Sequence, residues 1–234
     1  MISVICPFYN EKENLNELHS RLLKVVFSLQ DSWEIIFVND GSSDGGEEYL
    51  KSLFTGHKAV RVIDLDKNYG LTTALHAGFQ DSKGEILATL DADLQNPPEE
   101  IPRLLTLLED QDMVTGIRAH RQDAWVTRLS SRIANPIRRI VLGDSIQDIG
   151  CSLRVFRRPA LGAFYPFRGM HRFFPALAEA HGFKIQQVPV EHHPRRHGRS
   201  KYGLANRILG PLWDLCAVRW LLNRRIQYKR RPTT

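Results

Sequence analysis

Four short runs, Ile2–Cys6, Ile35–Val38, Val60–Ile63 and Ile86–Leu90, are apolar almost throughout instead of alternating apolar with polar. Strands of that kind must be buried on both faces, which happens in parallel sheets that carry helices on each side. Between them, Leu15–Leu29 and Thr72–Phe79 place apolar residues at three- and four-residue intervals, and Pro97-Pro98-Glu99 is a helix opening. The order β-α-β-α-β predicts an α/β fold, a mostly parallel open sheet flanked by helices.

Beyond about residue 117 the pattern changes to an Arg-rich helical stretch (Thr127–Leu142), short strands at Ser152–Phe156 and Lys184–Val190, and a last helical segment, Leu204–Asn223. A length of 234 residues suits one sizeable domain with a modest C-terminal extension. No repeat or low-complexity tract interrupts it. The net charge of +6 points to anionic partners, whether nucleic acid, phosphorylated small molecules or an acidic membrane surface. Cys6, Cys151 and Cys216 are scattered and odd in number, which excludes a disulfide framework and a C-x-x-C site and predicts a reducing, cytoplasmic setting. The opening MISVICPFYNEKEN has no basic n-region of a secretory signal, and no run reaches the roughly 18 uninterrupted apolar residues of a spanning helix.

In open α/β sheets ligands bind beyond the carboxyl ends of the strands. Three such ends hold unusual residues: Pro7-Phe8-Tyr9-Asn10-Glu11, Asn39-Asp40-Gly41-Ser42-Ser43-Asp44 and Asp91-Ala92-Asp93-Leu94-Gln95. Two carboxylates spaced as Asp91-x-Asp93 suit a hard divalent cation, Mg²⁺ or Mn²⁺, that also takes oxygens from a substrate diphosphate. An isolated Asp-x-Asp is more often an Asx turn, and company on the same rim is what favours the cation. Asp40 reads either as an acceptor for a nucleobase N–H or as a solvated turn residue, and Tyr9 either as a platform for that base or as a packed aromatic. Neither G-x-G-x-x-G nor G-x-x-x-x-G-K-[ST] occurs, so phosphate charge must be met by metal and basic side chains.

Taken together, PFYNE, VNDGSSD, KNYG, DADLQNPPE, DIGCSLRVFRR and HGRSKYG resemble the family 2 glycosyltransferases, specifically the polyprenyl-phosphate hexosyltransferases typified by dolichol-phosphate mannose synthase. The resemblance runs from about residue 2 to about 225. It implies a GT-A fold in which residues 1–202 form the catalytic domain, with a nucleotide-binding half (1–117) and an acceptor half (118–202). Residues 203–234 are then a basic, amphipathic helical segment that associates with a membrane. Pro7, Tyr9, Glu11, Val38, Asp40, Asp91, Ala92 and Asp93 would hold the nucleotide sugar, and Asp91, Asp93 and Gln95 the metal. Arg118, Arg132, Arg195 and Lys201 would meet the acceptor and donor phosphates. Pro136 departs from relatives that place a phosphate-binding serine there.

The implied reaction is inverting displacement at the anomeric carbon by a lipid-phosphate oxygen, with release of a nucleoside diphosphate. Asp93 and Arg118 would act in it directly, and Asp148 matches a carboxylate assigned a base or orienting role. Leu204–Leu222 and the basic residues Arg224, Arg225, Lys229, Arg230 and Arg231 suit peripheral attachment to the cytoplasmic face of a membrane, with a partner membrane protein as a further expectation. Two rivals carry less. Gly41-Ser42-Ser43-Asp44-Gly45 formally satisfies the G-x-S-x-G of serine hydrolases, yet it follows the second strand and no oxyanion-loop motif accompanies it. His192, His193 and His197 among arginines hint at nucleic acid, but they lack zinc spacing with cysteines, and no nucleic-acid partner is expected. A processive synthase is disfavoured because Arg219-Trp220 lacks the glutamine of Q-x-x-R-W.

Overall fold

The computed structural model describes residues 1–53, 58–118, 135–195 and 204–225, with side chains from residue 210 onward in the last stretch. Seven strands form one sheet: β1 (Ile2–Phe8), β2 (Trp33–Asn39), β3 (Val60–Asp64), β4 (Ile86–Thr89), β5 (Met113–Arg118), β6 (Arg154–Arg157) and β7 (Ile185–Val190). Their order is β3-β2-β1-β4-β6-β5-β7, and only β6 runs against its neighbours. The helices are α1 (Lys12–Ser28), α2 (Gly46–Leu53), α3 (Leu71–Asp81), α4 (Ile101–Leu107), α5 (135–142), α6 (Phe174–Ala180) and α7 (Leu204–Asn223).

The four expected apolar runs are the four parallel strands of the first half; β1, β2 and β4 are buried on both sides as their composition requires, whereas β3, at the edge of the sheet, is only partly buried beyond Val60. On one side of the sheet, Leu15, Leu18, Leu22 and Val26 of α1 and Leu104 of α4 pack against Val4, Cys6 and Phe37. On the other, Leu75 and Phe79 of α3, Phe174 and Leu177 of α6, and Leu215 and Val218 of α7 pack against Ile5, Ile36, Leu87 and Phe156. The boundary drawn at 117/118 falls inside β5, and strands from both halves of the chain share the one sheet. The sequence reading did not name β5 or α2, and the strand expected from Ser152 begins at Arg154.

Helix α7 is apolar on two sides. Leu215 and Val218 are buried in the domain, while Leu212, Trp213 and Trp220 are exposed, Trp213 by 77%. The amphipathic expectation paired one apolar face with a polar one; here a second apolar surface stands outward, with Arg224 lying 5.2 Å over the Trp220 ring. No helix among the described residues is long and apolar enough to cross a membrane. Residues 119–134 and 226–234 lie outside the described residues, and with them much of the Thr127–Leu142 helix and Lys229, Arg230 and Arg231.

Candidate active site

The strand order creates a crevice. From β1 the chain goes to β2 and β3 on one side, then returns to place β4 on the other, so the carboxyl ends of β1 and β4 diverge at a topological switch point. The ladder between these strands ends at Ile5↔Thr89, whereas β1 runs on beside β2 to Phe8↔Asn39. Ile5 O accepts from Leu90 N on the β4 side and Phe8 O from Asp40 N on the β2 side, so odd-numbered residues of β1 face β4. Pro7 therefore directs its missing N–H toward the place where pairing has stopped, and a proline is tolerated inside a central sheet.

The three loops expected on one rim are on one rim, because β2, β1 and β4 are adjacent and parallel. After β1, Asn10 takes φ +52°, which turns its backbone back toward β2. Its N–H donates to Ser42 Oγ at 2.9 Å, and its Oδ1 accepts from Ser43 N at 2.8 Å. The serines of the formal G-x-S-x-G thus brace two loops. A cavity of about 390 Å³ opens beside them, lined by Asn10–Asn14, Ser43 and Asp44.

Asp40 is buried, and its carboxylate holds the KNYG loop. Oδ1 accepts from Tyr69 N at 2.8 Å, and Oδ2 from Gly70 N at 2.9 Å and Asn68 Nδ2 at 3.0 Å. The close approach needs Gly41, whose φ is +68° and where a Cβ would collide with the backbone of Lys67 and Asn68. Tyr9 is half-buried. Val38 is fully buried under Gly78 of α3 and Ala92 is buried as well, so their side chains belong to the core.

At the end of β4, Asp91 and Asp93 lie close enough to repel. The Asp91 carboxyl is pushed up to about 6, first by burial and then by the Asp93 charge, against the pull of Ser152, Arg154 and Arg195. Asp93 is 6% exposed. Its Oδ1 accepts from Gln95 N at 3.1 Å, an Asx turn, and its Oδ2 pairs with Arg195 Nη2 at 2.7 Å. One Asp93 oxygen thus shapes the Asx turn, and the other meets the guanidinium of Arg195. The intervening Leu94 sits at φ +60°, a conformation a branched side chain rarely takes, and strain of this kind gathers at sites whose geometry is imposed from outside. Gln95 donates Nε2 to His193 O at 3.3 Å.

Arg195 also reaches Glu11, Nη1 to Oε1 at 3.2 Å, so one guanidinium joins the ends of β1 and β4. Among the described residues no three His, Cys, Asp or Glu side chains converge tightly enough to hold an ion unaided. Two carboxylates that already draw in a cationic group nevertheless fit a hard divalent ion that brings further oxygens from a diphosphate.

Across the rim, Arg118 at the end of β5 is gripped by Asp148. Nε donates to Oδ2 at 2.8 Å, Nη2 to Oδ1 at 2.9 Å, and the Arg118 backbone N–H to Oδ2 at 3.2 Å. A Cβ at Gly150 would meet the Arg118 guanidinium, so a side chain there would have to move the arginine from this grip. Arg132 and Lys201 lie outside the described residues.

Three side chains escaped the sequence reading. Arg154, paired in register with Thr89, is 3% exposed behind Asp91 and donates to the carbonyls of His171 and Ile149, both at 3.0 Å. His171 Nδ1 lies 2.7 Å from Thr72 Oγ1, which accepts from Gly169 N at 2.9 Å. The one available signal was an arginine inside the apolar run SLRVF, since Arg154 enters the site only because β6 runs antiparallel beside β4.

The model for glycosyl transferase family 2 matches residues 3–164. The chain is 41% identical over 217 residues to the undecaprenyl-phosphate 4-deoxy-4-formamido-L-arabinose transferase of Edwardsiella ictaluri, a match covering 92% of this chain and 66% of that one. The enzyme of the same name from Aeromonas hydrophila is 38% identical over 218 residues with the same coverage. The chain thus spans 66% of the length of these curated relatives. In fold it is similar to glucosyl-3-phosphoglycerate synthase from Mycobacterium tuberculosis in complex with Mg²⁺ and UDP, with a TM-score of 0.70 and 21% identity, covering 93% of this chain and 79% of that one. The same synthase in complex with Mn²⁺, UDP-glucose and phosphoglyceric acid gives a TM-score of 0.68 at 22% identity, covering 93% and 80%. With its parallel sheet, its switch-point carboxylates and a match over most of its length, the chain belongs to glycosyl transferase family 2.

Proposed function

We propose that this protein transfers a single sugar, with inversion, from a nucleotide-sugar donor to a polyprenyl phosphate at a membrane surface. The observation that carries the reading is that Glu11 and Asp93, from two strand ends at the switch point, both pair with one cationic group, Arg195, with the Asp91 carboxyl near enough to feel the charges of Asp93 and Arg195. The names of the relatives favour undecaprenyl phosphate as the lipid and a formamido-arabinose as one candidate sugar.

In this reading the nucleoside lies along Pro7, Tyr9 and Glu11, against the loop that Asp40 fixes, with Val38 contributing through its backbone. Asp91 and Asp93, with Gln95 beside them, would hold Mg²⁺ or Mn²⁺. Such a cation supplies Lewis-acid neutralisation of the departing diphosphate. The acceptor phosphate is already ionised at neutral pH, so no strong base is required to generate the nucleophile. Arg118 then has the task of orienting that phosphate, since a guanidinium fork pairs bidentately with phosphate oxygens. Asp148, spent on Arg118, is an orienting residue. Attack by the phosphate oxygen forms the new glycosidic bond as the bond to the nucleoside diphosphate breaks, and the rate comes chiefly from positioning. The outward surface of α7, with Trp213, Trp220 and Arg224, suits the headgroup region of the cytoplasmic face of a membrane.

The test is a screen of UDP- and GDP-sugars with Mn²⁺ or Mg²⁺ against a short polyprenyl phosphate, following radiolabel into the organic phase. Metal-dependent transfer from one donor supports the reading. Failure of every donor, or transfer indifferent to chelator, overturns it.

A further inference from the structure

The seat of Arg195 is built by backbone far from it in sequence. The segment that leaves β7 crosses the carboxyl edge of the sheet and is laced to the loop after β4. His193 N donates to Gln95 O at 2.8 Å, Gln95 Nε2 to His193 O at 3.3 Å, and Asn96 Nδ2 to Glu191 O at 3.2 Å. Glu191 N reaches Glu100 Oε1 at 3.3 Å. Two residues past the last of these ties, the Arg195 fork lies between two buried carboxylates from different strand ends, 2.7 Å from Asp93 and 3.2 Å from Glu11.

Deepening the proposed function and resting on it, we infer that Arg195 is the resident counter-ion of the donor-free site, filling the divalent cation's place on Asp93 until a cation arrives together with a diphosphate. One Asp93 oxygen is engaged by the Gln95 turn and the other by Arg195, so a cation approaching that second oxygen meets a positive charge already seated on it. A bare cation must displace a charge-assisted pair held at both ends, with two protein carboxylates to reward it. A cation carrying a nucleoside diphosphate brings more oxygens and also offers the released guanidinium phosphate oxygens in exchange for Asp93. With the backbone tied at 191–193, the exchange needs only rotation of the arginine side chain. The site thereby favours the cation–nucleotide pair over the free cation and keeps its carboxylates neutralised between turnovers.

The experiment titrates Mn²⁺ alone, UDP and GDP alone, and each Mn²⁺–nucleotide mixture into the wild type, Arg195→Gln and Asp93→Asn, following bound Mn²⁺ by paramagnetic resonance and nucleotide by calorimetry. Arg195→Gln is expected to bind Mn²⁺ alone at least about fivefold more tightly than the wild type, the lower end of ordinary coupling between sites. It is expected to bind the preferred Mn²⁺–nucleotide pair more weakly. A residue that only braced its loop would move both affinities the same way. Equal or weaker binding of Mn²⁺ alone by Arg195→Gln, with Asp93→Asn binding none, overturns the inference and leaves the metal assignment standing. Undiminished Mn²⁺ binding by Asp93→Asn overturns the metal assignment itself, and the inference with it.

Discussion

Asp148 accepts three hydrogen bonds from Arg118, two from its guanidinium and one from its backbone N–H, and a fourth from Gly150 N at 3.0 Å. A carboxylate 6% exposed and so fully engaged acts as a clamp on the arginine. Asp148→Asn would take this counter-charge away from Arg118 and set an amide N–H against one of its donors. We expect the loss of about 3 kcal/mol of stability in chemical denaturation, as for a buried pair that loses one partner. We also expect a raised KM for polyprenyl phosphate with nucleotide affinity unchanged. A pH–rate profile that loses its acidic limb in Asp148→Asn, at constant KM, would instead mark Asp148 as a base.

Asp93→Asn separates the two tasks of its oxygens. The asparagine Oδ1 still accepts from Gln95 N and keeps the turn, while the charge facing Arg195 disappears. Transfer should fall by about a thousandfold, the scale of losing a principal electrostatic group, in a protein that still folds. Retained turnover would remove Asp93 from the chemistry.

Asp40 makes a different prediction, because its visible partners belong to the protein. Asp40→Asn can keep the bond to Tyr69 N, but its amide nitrogen then faces the Gly70 N–H and Asn68 Nδ2, donor against donor. Two unsatisfied donors cost about 2 kcal/mol or more. Amide exchange should quicken at Tyr69 and Gly70 ahead of the rest of the sheet, and nucleotide affinity should fall with it. Unchanged exchange at those two amides would detach Asp40 from the loop.

How much of this was legible follows the range of the interactions. The switch-point rim could be read because Ile2–Cys6, Ile35–Val38 and Ile86–Leu90 are apolar but for Ser3 and Thr89, and parallel strands bring whatever follows them to one edge. Strand β5 was missed because MVTGIR carries a threonine, a glycine and an arginine, and its burial comes from neighbours β6 and β7 on either side. The Asp148–Arg118 clamp spans 30 residues, and the meeting of Arg195 with Glu11 spans 184. No local spacing encodes either. The resemblance pointed to Arg118, Asp148 and Arg195 as residues of interest, but only the folded chain shows two of them spent on each other and the third lodged among the carboxylates.

The exposed face of α7 is tested by Trp213→Ser with Trp220→Ser. Both side chains are more than half exposed, so stability should change by no more than about 0.5 kcal/mol. Co-sedimentation with vesicles of phosphatidylglycerol should drop at least severalfold, more steeply at high salt once the aromatic anchors are gone and only arginines hold the surface. Equal sedimentation of variant and wild type would place the membrane contact elsewhere.

The last prediction concerns acid. His171 is pushed down to about 3, chiefly by burial and then by the charges of Arg172 and Arg154, so the native imidazole stays neutral against Thr72. An unfolded histidine titrates near 6.5. Above that pH neither state binds the proton, and the neutral contact contributes fully. Below it the unfolded chain takes up a proton that the native state refuses until about pH 3, so stability falls as pH falls through that window. At pH 5 the loss is at most about 2 kcal/mol, from the 1.4 kcal/mol per pH unit of linkage. His171→Gln, which can still hydrogen-bond Thr72, should therefore be less stable than the wild type at pH 7.5 and lose less on going to pH 5. Parallel stability curves for the two proteins across that range would mean that His171 is protonated in the native state as readily as in the unfolded one.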